Sequence, residues 1–140
     1  LVILLAYLWT AGFSAGWAYI ALPALLITQF LLVLGLTLLV SAIVPFLPDF
    51  KYLTEHALQI LFYFSGIFFA GSSIPENYQI YFYLNPMANI IEAYRDILMY
   101  QQYPNWLALA LIAALGLGIS TSAYRWIQQN DHLYPKLMKR

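Results

Sequence analysis

Apolar residues along this chain come in long unbroken runs, and the polar residues gather between them. No Asp, Glu, Lys or Arg occurs from Leu1 to Pro48, from Ala57 to Pro75, or from Pro104 to Tyr124. As helix, each run is long enough to cross a hydrocarbon core of about 30 Å, and the first is long enough to cross twice. Prolines and charges divide them. Pro23 suits a helix start and pushes its predecessor out of helix, so Ala21-Leu22-Pro23 predicts a tight turn. Pro45 and Pro48 end the next helix, and Asp49, Lys51, Glu55 and His56 form a short charged connector at the membrane edge. The pattern predicts an all-α membrane protein with a single transmembrane domain. Its four transmembrane spans fall at about 1–20, 23–45, 57–74 and 105–125, with a polar tail at 126–140.

Within the spans, small residues mark candidate packing faces. Gly12 and Gly16 are spaced as GxxxG, which lets a neighbouring helix approach closely, and Ala110, Ala114, Gly118 and Ser122 recur every four residues in the last span. Thr28 and Gln29 are the main polar groups of the second span and read as hydrogen-bonding partners within the bundle.

The stretch from Ser72 to Trp106 differs from the rest because charge, proline and aromatic residues collect in it. Asn85 followed by Pro86 is a helix start: Asn caps free N–H groups, and Pro at the first helical position gives up a donor that would be unpaired anyway. In the helix that follows, Met87, Ile90, Ile91, Tyr94 and Leu98 fall on one side, with Asn89, Glu92, Arg95 and Asp96 roughly opposite. Glu92 and Arg95 are spaced to pair. This apolar stripe is too complete for a water-exposed loop. We therefore read about 76–101 as a re-entrant or interfacial helix pair before the last span, broken at Leu84-Asn85-Pro86. Irregular backbone at membrane depth must be shielded by protein or border a watery cavity.

Composition supports a membrane chain: 63% of residues are apolar, 9% are charged, and mean hydropathy is +0.72, whereas soluble domains carry roughly 25% charge. Formal net charge is zero, so nothing suggests nucleic acid as a partner. Basic residues sort by side. With the tail in the cytoplasm, four spans place Lys51, Arg125, Lys136, Lys139 and Arg140 inside and Arg95 alone outside, as basic residues distribute in short loops. The helix pair then lies at the outer face. Leu1 opens mid-run with no basic region before it, which argues against a secretory signal and for a fragment that starts inside a helix.

Several chemistries are missing. There is no cysteine, no GxxxxGK[ST] loop for nucleotide, no HExxH and no plausible Ser/His/Asp set. His56 and His132 are too far apart in sequence to suggest a metal site. No catalytic residue, metal or cofactor is expected in this chain. Glu92 and Asp96 are the one carboxylate pair at helical spacing, but Arg95 beside them favours keeping both ionised, which argues against a proton-transfer pair. The tyrosines Tyr78, Tyr81, Tyr83 and Tyr100 lie with others at the outer boundary, either as an aromatic belt or as rings that stack on sugars.

The run FYFSGIFFAGSSIPENYQIYFYLNPMANIIEAYRDILMYQQYP, Phe62 to Pro104, resembles the closing half of ABC-2 type exporter permeases of the branch that moves O-antigen, capsular polysaccharide and teichoic acid. The likeness lies in an aromatic span, the Ile74-Pro75 loop, Asn85-Pro86, and Ile90 to Arg95 before the final span. Taken loosely, it covers the chain as the last four of six spans. It implies a permease subunit of the bacterial inner membrane that forms a homodimer and pairs with a separate ABC ATPase. ATP would be used on that partner, and the cargo would be a lipid-linked polysaccharide. It also implies an outer gate on the translocation path, which would fall on Asn85, Pro86, Asn89, Glu92, Tyr94, Arg95 and Asp96; if that path carries glycan, Tyr78, Tyr81, Tyr83 and Tyr100 are the candidate rings to face it. The Asp49, Lys51 and Glu55 loop would face the ATPase. Here that loop reads Pro48-Asp49-Phe50-Lys51, without the arginine many relatives carry. Three other readings compete: an ABC-2 exporter of a drug or small molecule, a membrane-embedded enzyme using Glu92 or Asp96 as base, and a secondary transporter. The last is disfavoured because no carboxylate sits mid-span.

Overall fold

The computed structural model describes residues 2–13, 16–67 and 75–130. Among these the chain is helical throughout, without strands. It begins with α1 (Val2–Thr10), a 3-10 turn (Trp17–Ala21), α2 (Leu22–Ile43) and α3 (Phe50–Tyr63), and continues with α4 (Glu76–Tyr83), α5 (Pro86–Leu98) and α6 (Trp106–Asn130). Two helical runs are long and apolar enough to cross a bilayer, Trp17–Ile43 and Trp106–Asn130.

These two runs form the scaffold. Gly35 and Gly116 meet where they cross: a Cβ on Gly35 would lie 2.6 Å from the Gly116 carbonyl oxygen, and one on Gly116 would lie 2.6 Å from the Leu31 carbonyl. Only glycine allows backbones so close, and between lipid-bathed helices this close packing replaces the hydrophobic drive that water would supply. Further along, Leu39 borders a groove with Gly118 and Ser122, so α2 and α6 run parallel and begin at the same end. The chain between them must therefore return. It climbs through α3 and finishes in α4 and α5 at the starting end.

The core sits at that end. Leu22, Leu25 and Leu32 of α2, Ile90, Ala93, Ile97 and Leu98 of α5, and Leu109 and Ile112 of α6 pack together over Ala18 and Ala21 of the 3-10 turn. The apolar side of α5 thus faces the spanning pair, and it includes Ala93 and Ile97 in addition to the residues the periodicity picked out.

The element boundaries depart from the sequence expectation in three places. The first helix stops at Thr10, not near Ile20. Gly12, with φ +93°, takes the left-handed conformation open to glycine, and Gly16 abuts the Gln101 side chain. The GxxxG pair therefore breaks the chain instead of packing two helices. At Ala21-Leu22-Pro23 there is no reversal, because Pro23 stands in the first turn of α2, where a missing N–H is harmless, and the 3-10 turn runs straight into it. The charged connector is helix. Tyr52 and Leu53 N–H bond to Asp49 O at 3.1 and 3.3 Å, Thr54 Oγ1 bonds to Phe50 O at 2.8 Å, and α3 ends at Tyr63. Charge marks a change of solvent here, not a helix end. The remainder of the expected third span, 68–74, and the tail at 131–140 lie outside the described residues.

Candidate functional site

The site is built on α5 and depends on how that helix starts. Asn85 is extended, with φ −76° and ψ 115°, and its Oδ1 accepts from Met87 N at 2.9 Å. Pro86 follows in the first turn. This is the cap that the Asn-Pro pair predicts. The break before it is closed by Asn89, whose Nδ2 donates to Tyr83 O at 2.7 Å and to Asn85 O at 3.0 Å. The end of α4 is thereby stapled to the first turn of α5.

Three polar bonds place α5 against its neighbours. Tyr94 OH donates to Gln29 Oε1 at 2.7 Å, joining α5 to α2. Arg95 Nη2 donates to Gly66 O at 2.7 Å, joining it to the segment just past α3. Asn85 Nδ2 reaches Leu61 O at 3.4 Å, also on α3. Arg95 also pairs with Glu92, Nη1 to Oε1 at 3.0 Å, with each side chain about one fifth exposed. Gln29 is thus the Tyr94 partner, and it could have been suspected: it is the single amide in the apolar run from Trp17 to Ile43.

On the other side of α5, a cleft of about 350 Å³ opens between α5 and the start of α6. It is lined by Tyr83, Asn89, Glu92, Ala93, Asp96, Asn105, Ala108 and Leu109. Asn105 caps α6, its Oδ1 accepting from Ala108 N at 3.2 Å. Nothing in the sequence pattern singled it out, because it lies past the amphipathic helix and belongs to the next element. The cleft is electronegative. The Asp96 carboxyl is raised above the usual carboxylate range, mainly by burial and further by Glu92. The Tyr83 hydroxyl is raised by burial and by the charges of Glu92 and Asp96. Arg95 does not offset the rise at Asp96, because the guanidinium is turned to Glu92 and the Gly66 carbonyl.

The expected site residues therefore divide. Asn89, Glu92, Asp96 and Tyr83 line one cleft, while Asn85, Tyr94 and Arg95 tie α5 in place from behind. Pro86 acts through the helix start. Tyr78 and Tyr81 on α4 and Tyr100 after α5 are exposed and do not line the cleft. Asp49, Lys51 and Glu55 stand at the opposite end of α3 from Gly66 and are exposed.

Such an arrangement can bind hydroxyl-rich or cationic groups and can shift as a unit, since one helix carries both the cleft and its fastenings. Comparison with known proteins is consistent with a transport setting. The chain is 25% identical over 99 residues to an O-antigen export system permease protein RfbA of Klebsiella pneumoniae, an alignment covering 69% of this chain and 38% of that protein. A second protein of that name from Klebsiella pneumoniae is 28% identical over 98 residues, covering 70% of this chain and 37% of the relative. The chain thus spans less than two fifths of the curated relatives it matches. No solved structure matches it. Residues 1–99, which include both the Gln29 and Arg95 fastenings, match the ABC-2 type transporter family, and the chain belongs to that family of membrane proteins.

Proposed function

We propose that the chain is part of the membrane permease subunit of an ABC exporter that moves lipid-linked cell-surface polysaccharide across the bacterial inner membrane. ATP is hydrolysed on a partner subunit, and two permease copies enclose the path. In this reading α4 and α5 are a shallow re-entrant pair at the outer face, α3 lies within a third span, α1 belongs to a further span, and the C-terminus is cytoplasmic.

The observation that carries the proposal is a charged cleft held at the head of a spanning helix pair. Its depth follows from the aromatic residues of α6. Trp106 begins the helix, Tyr124 and Trp126 stand near its other end, and all three are exposed. Trp106 and Tyr124 are about 27 Å apart along a helix rising 1.5 Å per residue, close to the thickness of a hydrocarbon core with aromatic belts at its edges. Trp17 and Tyr103, ring centroids 4.7 Å apart, lie at the Trp106 end. With Gly35 opposite Gly116, Gln29 sits about one helical turn below Trp106, so the Tyr94 bond lies just inside the membrane and the cleft at its rim. A carboxylate and amide lining beside a tyrosine ring suits sugar hydroxyls. The O-antigen role in the names of both relatives points to the same cargo.

The test is complementation. The full-length protein is produced with its ATPase in cells lacking their own polysaccharide permease, and surface polysaccharide is measured. Glu92→Ala and Arg95→Ala should each cut export while leaving membrane insertion intact. Normal surface polysaccharide in both variants would remove the gate assignment, and efflux of a small molecule instead of glycan would move the protein to the drug-exporter branch. A second reading is favoured by one observation, two carboxylates, Glu92 and Asp96, lining one cleft, where burial and Glu92 raise the Asp96 carboxyl, an arrangement found at acid–base sites. Product formation from lipid-linked sugar in proteoliposomes without an ATPase would support it.

A further inference from the structure

The segment at 50–67 meets α2 and is fastened to α5 at its tip. α3 buries no side chain along its length, whereas Ser65 and Gly66, just past its end, are both buried. The tip is a helix end with loose carbonyls. Gly66 has φ +75°, a left-handed turn of the kind that stops a helix, and carbonyls released there need donors when no water reaches them. Two donors come from α5: Arg95 binds Gly66 O at 2.7 Å and Asn85 reaches Leu61 O at 3.4 Å. A cation is the favourable group to place at a helix C-terminus.

The attachment of α5 to α2 is of another kind. Ile90, Ala93 and Ile97 are packed into the core with Leu25 and Leu32, and the Tyr94 to Gln29 bond closes the contact. Adjacent residues, Tyr94 and Arg95, therefore grip different helices, one backed by buried apolar surface and the other by polar bonds.

We propose that Arg95 and Asn85 form a releasable latch on the tip of an α3 arm. While the tip is docked, the base of the arm is coupled to the outer helix pair, and undocking of the tip, with α5 still on α2, frees the pair from the arm. The base carries Asp49, Lys51 and Glu55, and it follows Pro45 and Pro48, which lack the N–H that would tie it rigidly to α2. α3 itself is a rod of about 21 Å, enough to link those charges to the latch directly. The existence of the latch stands on the geometry, and its use in export rests on the transport reading above.

The chain has no cysteine, so once any cysteine elsewhere in the full-length protein is replaced, introduced thiols label cleanly. In the full-length protein in lipid nanodiscs, spin labels at Leu58→Cys on α3 and Leu115→Cys on α6 report the arm. Labels at Ile27→Cys on α2 and Leu115→Cys report the scaffold. All three positions are exposed. The parent should give one narrow arm distance. Arg95→Ala, and more so Arg95→Ala with Asn85→Ala, should broaden and shift it by about a helical turn, ~5 Å. Arg95→Lys should restore part of the parent distribution, and Tyr94→Phe and the scaffold pair should not move. An arm distance unchanged in the double variant overturns the latch, as does a scaffold distance that loosens equally. A moved arm with undiminished surface polysaccharide overturns instead the transport reading on which its use depends.

Discussion

The crossing of α2 and α6 can be tested with a single methyl group. A Cβ on Gly35 lands 2.6 Å from Gly116 O, and one on Gly116 lands 2.6 Å from both Leu31 C and O and 2.8 Å from Leu32 N. All of these are backbone atoms that no rotamer change can move. Ordinary contact begins at 3.4 Å, so Gly35→Ala must push the helices apart by about 0.8 Å, and the core of Leu25, Leu32, Leu109 and Ile112 loosens with them. Overpacking of this kind costs about 1–3 kcal/mol, a factor of roughly 5 to 150 in the unfolding equilibrium. Gly118 is the control. It lies two residues on, and a Cβ there meets nothing within 4 Å, so Gly118→Ala should be neutral or gain up to about 1 kcal/mol of helix propensity. Reversible denaturant unfolding in mixed micelles measures all three variants. If Gly35→Ala and Gly116→Ala match Gly118→Ala to within about 0.5 kcal/mol, the two backbones do not touch there.

Other expectations follow from single groups. Tyr94→Phe removes the hydroxyl that donates to Gln29 and should cost about 0.5–1.5 kcal/mol in the same unfolding assay; Gln29→Leu in the Tyr94→Phe background should recover part of it, because no unpaired amide remains. The Tyr19 hydroxyl is buried without a hydrogen-bond partner among the described residues, so Tyr19→Phe should be neutral or stabilising, and a clear loss would reveal a partner. Asp96 holds its proton to higher pH in the folded protein than in the unfolded chain. Its contribution to stability therefore falls as pH rises from the ordinary carboxyl value through the raised one, and recovers on acidification. Unfolding of Asp96→Asn measured across that range should lack this component.

The sequence showed where lipid and water divide the chain more clearly than where helices stop. Long apolar runs located α2 and α6 because hydropathy senses solvent directly. The same signal misplaced α3, since Lys51, Glu55 and His56 can sit on a helix as readily as in a loop, and only backbone bonds from Asp49 onward decide between them. The Asn85-Pro86 start and the Glu92 to Arg95 pairing were legible because both are local, set by residues two or three apart. The Gly35 to Gly116 crossing was not. Gly35 belongs to no repeat and Gly116 is matched only by Ser120 four residues on, while the longer stripe of Ala110, Ala114, Gly118 and Ser122 faces outward on α6. Which face of a membrane helix packs depends on its partner helix, and one chain's periodicity carries no record of that partner. The cleft was legible in part: Asn89, Glu92 and Asp96 share a helix face, whereas Tyr83 and Asn105 are brought to it by the two chain breaks on either side of α5.

The two kinds of attachment on α5 matter more in a membrane than they would in water. A buried leucine or isoleucine adds about 1.5–3 kcal/mol when the alternative is water, but much of that disappears when the alternative is an acyl chain. What then fixes α5 is close packing together with hydrogen bonds, each worth about 0.5–1.5 kcal/mol, or about 1.5–3 when one partner is charged. The Arg95 bond to Gly66 is of the charged kind, and it fastens the end of α3, a helix without a buried side chain of its own. Each such bond is worth no more than a few kcal/mol, so its release lies within reach of a modest perturbation. That is the range over which binding of a ligand or partner shifts a two-state equilibrium. The packed side of α5 has no comparable weak point, so movement within the described part of the chain is expected at Gly66 before it is expected at Gln29.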